Sequence, residues 1–299
     1  MSEQYVELPA GPTLCYRTDG PPDGQTVLLI AGLGQDYLGW PQQLVDGYVE
    51  RGLRVIRFDN RDAGCSSRID APPPGKLRQL LALPRPDAYD LGDMAADAVG
   101  LLDHLQVPRA HLVGMSMGGM IAQTIAARHP ARTATLTSIF STTGHRKVGQ
   151  QAASTLLRMA RRPARTVEES VAGHLMMLQH IGSTTHPPDD ELEREIATAL
   201  WERAGGPRAK SGIPRQVGAI QASGDRTAEL RRITAPTLVI HGDSDPMVHP
   251  SGGRATAAAI TGARHVEIPG MGHHIAPGVI DRLLQLTTEH IADRTGEPA

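Results

Sequence analysis

Aromatic residues are scarce in this sequence, because Phe, Trp and Tyr together make up 3% of its 299 residues. A chain with so few aromatic rings has little with which to stack nucleic-acid bases. Basic residues are not in excess either, since the formal net charge is −2, whereas phosphate binding requires a basic surface. The composition therefore argues against a nucleic-acid partner.

Long apolar runs and export signals are also missing. No apolar stretch approaches the roughly 20 residues that span a bilayer, and residues 1–7 lack the basic and apolar regions of a secretory signal. The chain has 2 cysteines, Cys15 and Cys65, which are too few for a disulfide framework. We therefore expect two free thiols in a cytoplasmic protein without a membrane span.

What the chain does contain is a regular alternation of apolar strands and helices. The predicted strands are Thr13–Thr18, Gln25–Ile30, Leu53–Asp59, Arg109–Val113, Ala134–Phe140, Ala235–Ile240 and Ala263–Ile268. A Gly- and Pro-rich turn, Asp19–Gly24, joins the first two strands. Strands that alternate with helices predict an α/β fold with a mostly parallel, doubly wound sheet.

A helical tract rich in Met and Arg interrupts this alternation. We predict an α/β core formed by residues 1–141 and 227–299, with a helical cap, residues 142–226, inserted after the strand Ala134–Phe140. Ligand sites of such sheets gather at the strand ends where insertions of this kind begin. The tract is therefore expected to cover the functional site.

The chain is organised around the stretch Gly114-Met115-Ser116-Met117-Gly118, which follows a short apolar strand and precedes a helix running to about His129. Strand, sharp turn and helix are the context that a nucleophile elbow requires. The glycines let a strand reverse tightly into a helix, because they carry no Cβ. Ser116 is therefore the candidate nucleophile.

A serine hydroxyl is a poor nucleophile at neutral pH and needs a base, which in turn needs an orienting acid. Two late segments, residues 241–246 and 269–274, each follow a predicted strand and supply an Asp and a His. We assign His273 as the general base and acid, and Asp245 as the residue that fixes the imidazole tautomer.

Each of these two loops offers a second candidate. Asp243 lies two residues before Asp245, and we favour Asp245 because the proline directly after it would stiffen the loop. Asp243 would instead hydrogen-bond the loop backbone. His274 follows His273, and we favour His273 because the glycine directly before it leaves room for the turn.

Acyl transfer also needs N–H donors for an oxyanion. Met117 lies at a helix N-terminus, where the dipole favours negative charge. The second donor is expected from the loop after an earlier strand, where Leu33 is the first choice and Gly32 the fallback. The same Gly-x-Gly could open a dinucleotide site, but Tyr37 stands where the third glycine would be.

Neither a metal nor a cofactor is expected. The sequence has no His-Glu-x-x-His run and no close cluster of Cys and His. The remaining histidines have structural explanations, and Arg61, Asp62 and Ser66 are also interpreted as structural. A catalytic cysteine is not expected, since neither thiol has a histidine partner nearby in sequence.

With these residues in hand, the chain resembles the α/β-hydrolase family outside the helical tract. The stretches that carry the resemblance are Leu38–Pro41, Val55–Asp59, Arg61–Asp62 with Gly64 and Ser66, Ala95–Val99, Arg109–His111, Gly114–Gly118, Pro236–Ile240 and Ile268–His273. The order Ser, Asp, His along the chain is that of this family. Its usual His-Gly before the oxyanion turn is Ala31-Gly32 here.

The resemblance implies a cofactor-independent carboxylesterase or methylesterase that acts on a small-molecule ester through an acyl-serine. Seven apolar residues of the helical tract could line a pocket for a medium-sized apolar group, although most of them are expected to pack the tract's own core. They are Leu156, Leu157, Met159, Leu175, Met176, Met177 and Leu178. Lactonases, C–C bond hydrolases and cofactor-free haloperoxidases use the same machinery. A non-catalytic small-molecule receptor on this fold is a further alternative.

Overall fold

Eight strands form one sheet in the computed structural model, which describes residues 2–9, 11–72, 75, 78, 85, 87–159, 162, 164–208 and 211–292. The strands are β1 (Gln4–Glu7), β2 (Thr13–Asp19), β3 (Thr26–Ile30), β4 (Arg54–Phe58), β5 (Ala110–Met115), β6 (Thr133–Ile139), β7 (Thr237–Gly242) and β8 (Arg264–Ile268). Their order across the sheet is β1-β2-β4-β3-β5-β6-β7-β8. The pairs from β4 onward are parallel, so the carboxyl ends of these strands meet at one edge.

Strands β3 and β5 lie at the centre of the sheet, and every residue in both is buried. This burial follows from their continuous apolar runs, which suit strands covered on both faces. The α/β fold with a mostly parallel sheet, predicted from the alternation of strands and helices, is confirmed.

The first two predicted strands are present as β2 and β3, and the predicted turn joins them, but they do not pair with each other. β2 pairs antiparallel with β1 on one side and with β4 on the other, and β4 separates it from β3. The short strand β1, residues 4–7, has only one buried residue, Val6, and little apolar pattern to announce it. The turn therefore joins two strands, β2 and β3, that are not neighbours in the sheet.

Helices cover both faces of this sheet. In the described part of the chain they are α1 (Gln42–Glu50), α2 (Leu91–His104), α3 (Met117–Arg128), α4 (Ala153–Met159), α5 (Val167–Ile181), α6 (Asp190–Arg203), α7 (Ile213–Ser223), α8 (Thr227–Leu230), α9 (Ser251–Ala259) and α10 (Pro277–Ala292). α2 and α3 bury their apolar residues in a cluster on one face, while α1 and α10 do so on the other. Asp90 and Asp93 form a capping box at the start of α2, which satisfies two N–H groups that a helix start leaves unpaired.

Helices α4, α5, α6 and α7 lie between β6 and β7, and we call them the insertion helices. α5 and α6 pack against each other. The apolar clusters on the two sheet faces contain Ala219 of α7 among their buried members, but no residue of α4, α5 or α6 in the described ranges. These three helices therefore depend on other contacts to hold them on the sheet.

Arg203, at the end of α6, makes one such contact. Its Nε lies 2.7 Å from Glu3 Oε1, its Nη2 lies 3.1 Å from Asp59 Oδ2, and its Nη1 pairs with Asp36. Its guanidinium also stacks 4.1 Å from the centre of the Tyr37 ring. Burial and the neighbouring Asp59 raise the pKa of Asp36, and the Arg203 charge offsets part of that rise. One residue of the insertion helices thus pairs with carboxylates from three separate segments of the chain.

None of the described helices has both the length and the apolar character needed to cross a membrane.

Candidate active site

Ser116 stands between the end of β5 and the start of α3, in a strained backbone conformation with φ 55° and ψ −121°. A non-glycine residue at positive φ costs about 1–3 kcal/mol and persists only where the surroundings impose it. Here the Ser116 N–H donates to Ile139 O at 2.9 Å, and the Ser141 hydroxyl donates to Ser116 O at 2.9 Å. Backbone and side-chain hydrogen bonds thus hold the turn that presents the Ser116 side chain.

The two motif glycines allow the elbow to pack directly on neighbouring backbone. A Cβ on Gly118 would collide with the carbonyl oxygen of Ile30 at the end of β3. A Cβ on Gly114 would collide with the Gly118 carbonyl. Any side chain at either position would push the elbow away from the sheet.

His273, in the loop after β8, lies between Ser116 and Asp245. Its Nε2 is 2.9 Å from Ser116 Oγ, and its Nδ1 is 2.7 Å from Asp245 Oδ2. The Phe140 ring packs against the imidazole with ring centres 4.5 Å apart. Three loops that follow β5, β7 and β8 therefore bring Ser, His and Asp into one hydrogen-bonded row.

Asp245 is buried, with both carboxylate oxygens occupied. Oδ1 accepts hydrogen bonds from the Met247 and Val248 N–H groups at 2.8 and 2.9 Å, while Oδ2 faces His273 and lies 3.4 Å from His241 Nε2. Burial alone would raise the pKa of Asp245, but the attraction to His273 and these hydrogen bonds outweigh it and lower the pKa to about 2. Asp245 is therefore ionised at neutral pH.

His241 contacts Asp245, although sequence reasoning did not single it out. It is fully buried at the end of β7, and its Nε2 donates to Val248 O at 2.8 Å. The sequence feature that could have indicated this contact is the position of His241, four residues before Asp245 in the segment 241–246.

The two competing residues have other partners. Asp243 Oδ1 accepts the Gly270 N–H at 2.7 Å and the Ser244 hydroxyl at 2.8 Å, which ties the loop after β7 to the loop after β8. His274 Nε2 lies 3.1 Å from Glu193 Oε1 on α6. The structure thus brings Asp245 and His273, and neither of these two, into the row that ends at Ser116.

The backbone amides of Met117 and Leu33 have no protein acceptor among the described residues. Met117 is the first residue of α3, where an N–H has no intrahelical acceptor. Before and after Leu33, the N–H groups of Gly32 and Gly34 donate to Gln35 Oε1 at 3.3 Å and Gln216 Oε1 at 2.8 Å. Among the described residues the Leu33 N–H has no protein acceptor, which leaves this amide free for a ligand.

The seven apolar residues that could line a pocket or pack the helical tract differ in exposure, and Met176 and Met177 are half-buried. Leu156 and Leu157 on α4 are 52% and 76% exposed, and Met159 is also exposed. Leu175 and Leu178 on α5 are buried. The α4 group therefore faces solvent in this state of the molecule.

Potential metal-ligating atoms of Glu3, Cys15 and Cys65 lie within 4.8 Å of one another, although these residues are distant in sequence. The Arg203 guanidinium already lies 2.7 Å from Glu3 Oε1 and 3.7 Å from Cys15 Sγ. Burial and nearby carboxylates also raise the pKa of the Cys15 thiol, which disfavours the thiolate that binds metals. These atoms are therefore a poor fit for a cation.

The chain belongs to the α/β-hydrolase family, because the model of the alpha/beta hydrolase fold matches residues 25–277. It is 32% identical to rhodomycin D methylesterase DnrP of Streptomyces peucetius over 91% of this chain and 92% of that protein. It is also 32% identical to rhodomycin D methylesterase DauP of Streptomyces sp. strain C5, over 93% and 94% of the two chains. The predicted family is confirmed.

A solved structure agrees with this assignment. The enol-lactonase from Burkholderia xenovorans LB400 has 26% sequence identity and a TM-score of 0.68, and the match covers 98% of this chain and 100% of that one. The stretches that carry the family resemblance are most like aclacinomycin methylesterase, and the two methylesterase relatives confirm that likeness. The protein is therefore an enzyme, an ester hydrolase of the α/β-hydrolase class.

Proposed function

We propose that this protein hydrolyses carboxylic esters through a covalent acyl-Ser116 intermediate. The observation that carries the proposal is the continuous row from Asp245 Oδ2 to His273 Nδ1 at 2.7 Å and from His273 Nε2 to Ser116 Oγ at 2.9 Å. A base within hydrogen-bond reach of the hydroxyl, itself oriented by a carboxylate, is the arrangement that activates serine.

His273 Nε2 accepts the Ser116 proton as Oγ attacks the ester carbonyl, and the resulting imidazolium then protonates the departing alcohol. Ionised Asp245 accepts the Nδ1–H, which keeps Nε2 free as a base and stabilises the imidazolium. Water repeats the two steps on the acyl-enzyme, releasing the acid and regenerating Ser116.

The Met117 and Leu33 amides are the proposed donors to the tetrahedral oxyanion. Met117 N–H lies at the start of α3 and so adds the positive end of a helix dipole. Gly32, next to Leu33, lies beside the nucleophile, since a Cβ on it would be 3.4 Å from Ser116 Cβ. The Gly32 amide already has an acceptor in Gln35, which favours Leu33.

The proposed substrate is a small-molecule methyl ester with a medium-sized, largely apolar body. The two relatives named rhodomycin D methylesterase support this class. The proposal includes the helical segment 142–226 as a cap over the site, separate from a core of residues 1–141 and 227–299. In this arrangement the buried leucines of α5 pack the cap itself, and the exposed residues of α4 are free to contact an apolar group.

We also infer a cytoplasmic location. Cys15 and Cys65 are both free thiols, although their sulfur atoms lie within 4.8 Å of each other. An oxidising compartment would favour a disulfide between sulfur atoms this close, so two free thiols indicate a reducing compartment such as the cytoplasm. Fractionation of the source cells should recover the activity in the cytoplasmic fraction, and recovery outside it would refute this inference.

The experiment that tests the function is mass spectrometry of the protein after exposure to a fluorophosphonate, together with a panel of methyl esters, lactones and vinylogous diketones. The label should fall on Ser116, and methyl esters should be turned over fastest. Ser116→Ala should lower kcat by about 10⁴-fold or more while shifting the melting temperature by less than roughly 2 °C.

Other outcomes would redirect the assignment. Preference for lactones or diketones would favour the lactonase or C–C hydrolase alternatives. Ligand binding without turnover would favour a receptor. Activity that survives in the Ser116→Ala variant would refute the acyl-serine mechanism.

A further inference from the structure

The loop that carries His273 is held by the insertion helices as well as by the core. The His273 N–H donates to Ile181 O at 2.6 Å. Ile181 is the last residue of α5, so its carbonyl is one of those that a helix leaves unpaired. The backbone of the proposed general base thus completes the end of an insertion helix.

Residues directly after α5 make further bonds to the same loop. The Ser183 hydroxyl donates to Gly270 O, and His186 Nε2 donates to Pro269 O at 3.1 Å. The Thr185 and His186 N–H groups in turn donate to Ser183 Oγ at 3.0 and 2.9 Å, which holds that hydroxyl in place.

The loop that carries His273 packs so closely against residues 181–185 that two of its positions leave no room for a side chain. A Cβ on Gly272 would collide with the carbonyl oxygens of Ile181 and Gly182. Gly270 has φ +70°, and a Cβ there would lie 2.6 Å from Thr185 Oγ1. A movement of this segment would therefore be transmitted to the histidine loop.

Glu193 on α6 provides a charged contact at the same place. It is 6% exposed, its Oε2 accepts a hydrogen bond from His174 Nε2 at 2.8 Å, and its Oε1 lies 3.1 Å from His274 Nε2. The second contact has ion-pair distance without the alignment of a hydrogen bond. Burial would raise the pKa of Glu193, but both histidines outweigh it and lower the pKa to about 2. A buried carboxylate thus links α5 and α6 to the residue next to His273.

The segment that contains the insertion helices, which we call the insertion, also holds the loop that carries Asp245. Pro246 O accepts the Ala152 N–H at 2.9 Å and the Thr155 hydroxyl at 3.1 Å. Thr155 Oγ1 is also 2.8 Å from His180 Nε2 on α5. His180 and Ile181 are adjacent on one helix; Ile181 contacts the base loop directly, and His180 contacts the acid loop through Thr155.

We propose that the insertion sets the distance between the acid and base loops, with Glu193 and Thr155 acting as positioning residues for His273 and Asp245. This inference rests on the proposed function, because it assigns those two residues the roles of base and acid. Small displacements of a catalytic group are costly, since a shift of about 1 Å can reduce the rate about 10²-fold.

The test compares three variants of the full chain, Glu193→Gln, Glu193→Leu and Thr155→Val, with Glu191→Gln as the matched control. Glu191 is an exposed glutamate on the same helix. The leucine variant loses both histidine contacts, and we expect its kcat to fall about 10-fold with KM within twofold of wild type. The glutamine variant keeps an acceptor and should lose less, and Thr155→Val should also lower kcat. Glu191→Gln should match wild type.

Two further readouts separate positioning from stability. The low-field proton resonance of His273 Nδ1–H should shift in the Glu193 variants, and the rate of Ser116 labelling by a fluorophosphonate should fall with kcat. A lower melting temperature with kcat, resonance and labelling rate unchanged in all three variants would overturn the proposal, as would a rise in KM alone. Should Glu193→Leu not fold, Glu193→Gln and Thr155→Val decide the matter by the same criteria.

Wild-type protein keeps the two proposals apart. If wild type is not labelled at Ser116, the proposed function fails. If wild type is labelled and the variants are labelled at the same rate, only the positioning role fails.

Discussion

Replacing Asp245 by Asn should switch the tautomer of His273. The Met247 and Val248 N–H groups donate to Oδ1, so the carbonyl oxygen of the new amide will occupy that position. The amide NH₂ then points at His273 Nδ1, where Oδ2 stood at 2.7 Å. Nδ1 must accept instead of donate, which places the ring proton on Nε2. An Nε2–H facing Ser116 Oγ is unable to take the serine proton.

The size of the effect follows from two losses. An imidazolium and a carboxylate about 4 Å apart attract each other by roughly 4 kcal/mol at an effective dielectric constant of 20. A hydrogen bond to a charged acceptor contributes about 1.5 kcal/mol more. The sum of about 5.5 kcal/mol corresponds to a decrease in kcat of about 10⁴-fold.

The assay is steady-state hydrolysis of p-nitrophenyl acetate, with circular dichroism to show that the variant is folded. Asp243→Asn is the matched control, because Asp243 accepts the Gly270 N–H and the Ser244 hydroxyl, and an amide oxygen can still accept both. We expect the control to keep kcat within about threefold. Equal losses in the two variants, or more than a tenth of wild-type kcat in Asp245→Asn, would refute the reasoning.

Three predictions of stability concern His111, Gly118 and Gly173. Burial, with the nearby charges of His290 and Arg109, lowers the pKa of His111 to about 4; the unfolded state thus takes up its proton first, and stability is lost as pH falls from 6.5 toward 4. Between pH 7.5 and 4.5, the free energy of unfolding measured by urea titration should therefore fall by roughly 2.5 kcal/mol less in His111→Gln than in wild type. Gly118→Ala should destabilise by about 2–4 kcal/mol in thermal unfolding, because its Cβ meets backbone at Ile30. Gly173→Ala, inside α5 with open space around it, should stabilise by about 0.5–1 kcal/mol, and a lower melting temperature would contradict this.

Sequence patterns predicted the parts of the molecule that local chemistry determines. The strand before Ser116 is apolar apart from His111, the elbow glycines are required by backbone contacts, and the Asp and His segments each follow a strand of a parallel sheet. Because parallel strands end at one edge, position along the chain was enough to predict which loops meet.

Contacts that depend on side-chain packing between distant elements had no such signal. Glu193 lies among other acidic residues of α6 in the sequence, and nothing in helical periodicity indicates that this one is buried against His274. Leu156 and Leu157 look like lining residues by composition, yet they are exposed. The pairing of β2 with β4 also depends on the order of strands across the whole sheet, which a local turn does not specify.

The placement of Arg203 has a consequence for engineering chimeras. Asp36 and Asp59 are almost completely buried side by side, and the cation that pairs with both of them is supplied by the helical segment. A graft of that segment from a relative without a cation here would leave two carboxylates confined together without a counter-ion, a cost of about 3–5 kcal/mol. Successful exchange therefore requires transferring Arg203 with the graft or replacing both acids by neutral residues.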